Sequence, residues 1–186
     1  IDLLSEEGGM GNVRCLVRED ADGKVHVGNC TAVPIDIDKK EHLQGLIDKI
    51  FSRRKTSATF ANEASSRTHA FSLFTFRDSI IGNTFSIRLI DLAGCERWED
   101  SLYHSQERIT EMKAINYSLG CLKECARLML ANVTSTSTKV PHIPYRRSKL
   151  TMLLKDVFID GGAAALVIAH LAPSRASLKH SENTMN

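Results

Sequence analysis

No Cys-x-x-Cys pair occurs in this chain, and its cysteines number five, an odd count. A disulfide framework is therefore not what organises it. Cys121 and Cys125 stand four residues apart with no histidine nearby in sequence, and all five cysteines are expected as reduced, mostly buried thiols of a cytosolic protein. Long apolar runs are missing too. The longest, residues 163–172, is interrupted by His170 and is half of what a bilayer span requires. The start carries no secretory charge-then-apolar pattern, so membrane insertion is not expected. Internal repeats are absent, and low complexity is confined to the Ser/Thr tract at 134–138, which reads as a loop. An excess of one charge sign is nearly absent as well, the formal net charge being +2. That excludes a general polyelectrolyte binder and gives no reason to expect nucleic acid as a partner.

What remains is ordinary globular material. The 186 residues are 42% hydrophobic and 25% charged, a length that suits one domain able to bury about 70% of the surface its unfolded form exposes. The charge is unevenly spread: residues 1–50 carry 10 acidic and 6 basic side chains, and the remainder 12 acidic and 18 basic. Lys139, Arg146, Arg147, Lys149 and Lys155 follow one another with no acid between them. Such a run creates a local field that favours an acidic partner, although a solvated face is the plainer reading of any charge run.

Periodicity places the elements. Val13–Arg18 and Lys24–Val27 flank an Asp-Ala-Asp-Gly turn and predict a hairpin. Asp38 is placed to cap a helix running to about Phe51, with Leu43, Leu46, Ile47 and Ile50 at helical spacing. Phe71–Phe76 and Phe85–Leu92 read as strands, the first with Phe71 and Leu73 on one face and Ser72 on the other, the second apolar on both faces at Leu89–Ile90 as in a central strand. Met112, Ile115, Leu119, Leu122, Ala126 and Met129 form one stripe of a long helix over roughly residues 110–132. A further helix is expected from Ser148 to about Phe158, then a buried strand at Leu166–Leu171 and a last helix from near Ser177. Strands alternating with helices define an α/β fold.

Chemistry in α/β sheets gathers beyond the carboxyl ends of strands. Asp91 and Gly94 stand there: an acid suits a metal-bound water, and a glycine lets its backbone N–H approach a phosphate because no Cβ intervenes. Hydrophobic strand followed by Asp-x-x-Gly is weak evidence alone. Upstream, Asn62-Glu63-Ala64-Ser65-Ser66-Arg67-Thr68-His69 places two hydroxyls suited to Mg²⁺ and an attacking water beside a planar cation, for which Glu96 is the obvious carboxylate partner.

These residues resemble the switch I motif of kinesin motor domains, NxxSSRSH, with Thr68 for the usual Ser. Asp91–Glu96 resembles their switch II motif, DLAGSE, with Cys95 for Ser. His142–Thr151 resembles their HIPYRDSKLT segment, with Arg147 where Asp is usual. The resemblance covers essentially the whole chain and implies a partial kinesin motor domain over 1–186, with switch I at 62–69, switch II at 91–96 and a microtubule-binding region at about 110–158. It implies a central mixed β-sheet flanked by helices. It also implies ATP and Mg²⁺ as cofactors, with Asn62, Ser65, Ser66 and Gly94 at the nucleotide, Ser66 and, through water, Asp91 at Mg²⁺, and Arg67 with Glu96 closing the switches. Lys113, Lys123, Arg127, His142, Arg146, Arg147 and Lys149 would face tubulin. Residues 116–127 and 182–186 look most like the internal-motor kinesins that depolymerise microtubules, although Tyr117 replaces a Lys common on the microtubule-facing helix. The remaining histidines show no ligand spacing.

One motif is missing. The phosphate-binding loop GxxxxGK[ST] occurs nowhere in the chain, whose only Gly-Lys pair, Gly23-Lys24, is followed by Val25. With Ile1 in place of an initiator Met, the expectation is a truncated motor lacking its N-terminal strands and phosphate loop and inactive alone. The alternative is a nucleotide-independent microtubule-binding module. The expected setting is the microtubule cytoskeleton of the cytoplasm; the sequence leaves oligomeric state, direction and cargo open.

Overall fold

A computed structural model describes residues 2–5, 14–36, 39–56, 68–78, 80–94, 106–135, 140–160, 163–171, 174–175, 178 and 181–182. Two strands open it, β1 (Leu16–Glu19) and β2 (Val25–Gly28), paired antiparallel with Leu16 opposite Gly28 and Glu19 opposite Val25. The turn between them forms for local reasons. Asp20 donates its N–H to the Lys24 carbonyl at 3.0 Å, its carboxylate accepts the Lys24 N–H at 2.7 Å, and Gly23 takes φ 78°, which a side chain would resist. This is the hairpin the sequence predicts.

Helix α1 (Lys40–Thr56) follows. It outruns the expected end at Phe51, and the proposed cap Asp38 lies outside the described residues. Strands β3 (Ala70–Arg77) and β4 (Thr84–Asp91) form the second antiparallel hairpin, with Ala70 opposite Asp91 and Phe76 stacked on Phe85 at 4.8 Å between ring centroids. The alternation of β3 is as expected, with Phe71 and Leu73 on one face, which is exposed, and Ser72 on the other, half-buried face with Ala70, Phe74 and Phe76. The reading of β4 changes. A central strand needs a neighbour on each side, and among the described residues β4 pairs with β3 alone; its apolar side chains Phe85, Ile87 and Leu89 are exposed. The chain is α/β, but its described strands make two separate two-stranded sheets rather than one continuous mixed sheet.

Helix α2 (Gln106–Thr134) is the longest element. Its buried positions are Met112, Ile115, Cys121 and Cys125, and Ala126, expected in the stripe, is exposed. The buried face is turned because residues 143–158 pack on the C-terminal half of the helix: Cys125, Ile143, Tyr145 and Phe158 form the core, with Leu122, Leu128, Met129, Leu154 and Val157 against it. That segment is a 3₁₀ turn (Tyr145–Arg147), a short helix α3 (Lys149–Leu153) and a π turn (Asp156–Asp160), so the single helix expected over 148–158 is broken after one turn. Ser148 caps α3 through a capping box in which its side chain accepts the Thr151 N–H and Thr151 accepts the Ser148 N–H. Thr151 is fully buried, and its hydroxyl also donates to the Tyr145 carbonyl at 2.6 Å.

Leu166–Leu171 is neither buried nor a strand: Leu166 and Val167 are 87% and 86% exposed. Its composition suits a strand, yet no described strand pairs with it, and a ladder needs two. Leu178, Ser181 and Glu182 are helical, as expected of the last segment. Of the cysteines, Cys121 and Cys125 are buried, Cys15 is half-buried and Cys30 is exposed, so burial holds for only part of the set; Cys95 lies outside the described residues. No described helix is long and apolar enough to cross a membrane.

Candidate functional site

Two regions carry the residues that the sequence singles out. The first lies at the end of β4. Asp91 closes the strand with its side chain 67% exposed, and Arg54 of α1, itself 9% exposed, donates to its carboxylate at 2.5 Å. The second arm of the same guanidinium donates to the Thr68 carbonyl at 2.9 Å. Arg54 thus ties the end of α1 to both the strand end and the residue that precedes His69. A planar, permanently charged fork suits this double contact. No spacing in the sequence signals it, since Arg54 sits 37 residues from Asp91 and outside the switch motifs.

His69 binds in two directions. Its Nδ1 accepts the N–H of Ala93, which is buried, at 3.0 Å, and its Nε2 meets the Ser118 hydroxyl of α2 at 2.8 Å. Ser118 in turn donates to the Ile115 carbonyl at 2.7 Å. Burial lowers the pKa of His69, with the negative charge of Asp91 acting in the opposite sense. Gly94 follows directly and is exposed. Asn62, Ser65, Ser66, Arg67 and Glu96 lie outside the described residues.

The second region spans α2 and the turn beyond it. Lys113, Lys123 and Arg127 are exposed on α2 and enter no ion pair among the described residues; His142 is exposed as well. Arg146, Arg147 and Lys149 are exposed but engaged. Arg146 makes a two-pronged contact with Glu19 of β1, Nε to Oε2 at 2.7 Å and Nη2 to Oε1 at 3.0 Å. Tyr145 donates to the same carboxylate at 2.8 Å, and Lys155 stands 3.3 Å from it. These donors, Arg146 foremost, hold the Glu19 carboxyl down to about 2. Lys149 donates to the Val17 carbonyl at 3.1 Å, and Lys155 bonds the Gly23 carbonyl, so the first hairpin is clipped onto the basic segment.

Arg147 pairs with Glu124 of α2 and lies over the Tyr117 ring, 5.9 Å from its centroid. Tyr117 first and Glu124 next raise its pKa. Two of the four departures from the family pattern, Tyr117 for Lys and Arg147 for Asp, therefore meet each other. Among the described residues no group of three or more His, Cys, Asp or Glu is placed to hold a metal ion.

A kinesin motor domain model matches residues 1–186. The chain belongs to the kinesin family. It is 38% identical over 185 residues to Diatom spindle kinesin-1 of Cylindrotheca fusiformis, covering 100% of this chain and 27% of that protein. Identity is 37% over 172 residues with the kinesin-like protein KIF24 of Mus musculus, covering 92% of this chain and 12% of that protein. It is 34% over 191 residues with the kinesin-like protein KIN-13B of Arabidopsis thaliana, covering 99% and 26%. Among solved structures, KIF14 with ADP in complex with a microtubule superposes with a TM-score of 0.72 at 27% identity, over 100% of this chain and 53% of that one. A structure described as kinesin 6 gives 0.61 at 26% identity, over 84% and 42%. The chain thus spans about a quarter or less of these relatives and about half of these solved chains.

Proposed function

We propose that this chain is the switch and microtubule-facing part of a motor that couples ATP hydrolysis to microtubule binding, working on the microtubule cytoskeleton of the cytoplasm. The observation that carries the reading is the clustering of Asp91, Ala93–Gly94, Arg54 and His69 at the mouth of β4, within one hydrogen bond of the helix that bears Lys113, Lys123 and Arg127. The Asp91 carboxylate, exposed and steered by Arg54, has the donor chemistry for a water on Mg²⁺. Ser66 would hold the ion beside it, and Asn62, Ser65 and the Gly94 N–H would contact the nucleotide. When bound, Mg²⁺ and the terminal phosphate supply the charge that draws the loops together. The 186 residues contain no GxxxxGK[ST], so the cradle for the other phosphates is not among them.

Under this reading Arg67 and Glu96 close the two switches by pairing, with switch I at 62–69 and switch II at 91–96. The likeness to KIF14, whose structure is with a microtubule, supports the partner, and the resemblance of residues 116–127 and 182–186 to internal-motor kinesins is what favours a motor that depolymerises rather than walks. In the protein at its full natural length, Glu96→Ala and Arg67→Ala are each expected to leave ATP binding largely intact and to slow hydrolysis. The double variant should be no worse than either single one. Additive losses would overturn the pairing. Stabilised microtubules that shorten in its presence with ATP would support depolymerisation; microtubules that glide intact would overturn it. A second reading, a nucleotide-independent microtubule-binding module, draws on the missing phosphate loop, and microtubule affinity indifferent to ATP and ADP would favour it.

A further inference from the structure

We propose that His69 is the joint between the Asp91–Gly94 corner and helix α2, a positioning residue that passes displacement of one to the other; the inference rests on the functional reading above. A backbone N–H only donates, so the Ala93 N–H bound at 3.0 Å requires a bare lone pair on His69 Nδ1. Neutral imidazole must then carry its proton on Nε2, which donates to Ser118 Oγ at 2.8 Å. Ser118 Oγ accepts that hydrogen bond and donates its own hydrogen to the Ile115 carbonyl at 2.7 Å.

Each hydrogen bond in the chain Ala93–His69–Ser118–Ile115 therefore has a fixed donor and acceptor. Reversing the imidazole tautomer would place two donors face to face at Ala93. The joint is also held from behind, because Arg54 grips the Thr68 carbonyl next to His69 and the Asp91 carboxylate two residues before Ala93.

Such a joint leaves little slack. Any movement of the Ala93–Gly94 backbone toward a bound phosphate either carries the imidazole along or breaks a partly buried hydrogen bond. If carried along, the ring draws on α2 at Ser118, one residue from Tyr117 and its Arg147 contact. The helix spans about 40 Å at 1.5 Å per residue, so a push at one point is felt along the surface that bears Lys113, Lys123 and Arg127.

The test is Ser118→Ala, which removes the far partner of the imidazole and leaves the Ala93 bond in place, with Ser118→Thr as the variant that keeps the hydroxyl. In the protein at its full natural length, Ser118→Ala is expected to hold unstimulated ATP turnover within about twofold and to cut the microtubule-stimulated rate about fivefold or more. Ser118→Thr should recover most of that stimulation. Nitrogen-15 NMR of the His69 ring should show the neutral form protonated on Nε2. An Nδ1-protonated ring overturns the joint, as does full stimulation in Ser118→Ala or an equal loss of both rates. If the unmutated protein shows no stimulation, the functional reading falls together with the joint, whereas normal stimulation with an unaffected Ser118→Ala sinks the joint alone.

Discussion

Strand-end chemistry at Asp91 and Gly94 is local, an acid and a glycine at the end of an apolar run. Geometry comes from farther away: Arg54 reaches Asp91 across 37 residues of chain and Glu19 reaches Arg146 across 127, separations that no spacing rule spans. Glu19 shows what such a contact does to stability. Its carboxyl titrates at about 2 instead of 4.5, because Arg146, Tyr145 and Lys155 bond its charged form. A group whose folded pKa is depressed contributes stability that is complete above its unfolded value and fades as pH falls through the folded one. Glu19→Gln is therefore expected to lower the melting temperature at pH 7, and the gap to the unmutated protein should close between pH 4.5 and 2. Thermal unfolding across that range measures it; a gap constant down to pH 2 would show that the carboxylate charge plays no part.

At the scale of elements, the first hairpin and the two strands of the second are legible because turn chemistry and alternation are written in neighbouring residues, while the pairing of those two strands as a hairpin of their own is not. Helix α2 was found for the same reason, its 3.6-residue period being strong over many turns. Its buried face was misplaced by Ala126 because the face is chosen by what packs on it, and the 143–158 segment meets it at Cys125. The failures share one cause. Whether β4 is central and whether Leu166–Leu171 is a strand are questions about partners, which composition cannot answer. The break after α3 is likewise a packing outcome, since Thr151 turns inward to serve the Tyr145 carbonyl. That role predicts an ordering of costs. Ser148→Ala removes an N-cap and should cost about 1 kcal/mol. Thr151→Val keeps the shape but strands a buried carbonyl and should cost about 1–3 kcal/mol. Urea unfolding of the two variants compares them directly, and a Thr151→Val loss no larger than that of Ser148→Ala would remove the threonine as the anchor of this corner.

Across the whole molecule, the charge reading changes most once the fold is known. The basic run at 139–155 looks in sequence like an uncompensated patch, yet Arg146 is neutralised by Glu19 and Arg147 by Glu124, both from elements far away in the chain. Lys149 meets a carbonyl rather than an acid, and further cations stand on α2. Lys113, Lys123 and Arg127 are exposed and enter no ion pair among the described residues, so their field reaches solvent undiminished by a bound acid. Screening acts on exposed charge over about 10 Å near 0.1 M salt. If an acidic tubulin surface is the partner, microtubule co-sedimentation of the protein at its full natural length should weaken as salt rises from about 50 mM, and the slope should reside mainly in these three residues. Alanine at Lys113, Lys123 and Arg127 together is expected to flatten the salt dependence. Alanine at Arg146 and Arg147 should flatten it less for each charge removed, because each substitution also uncovers a carboxylate that repels the same surface. The reverse ranking would mean that both ion pairs open on binding and that Glu19 and Glu124 hold the arginines only until an acidic partner takes their place.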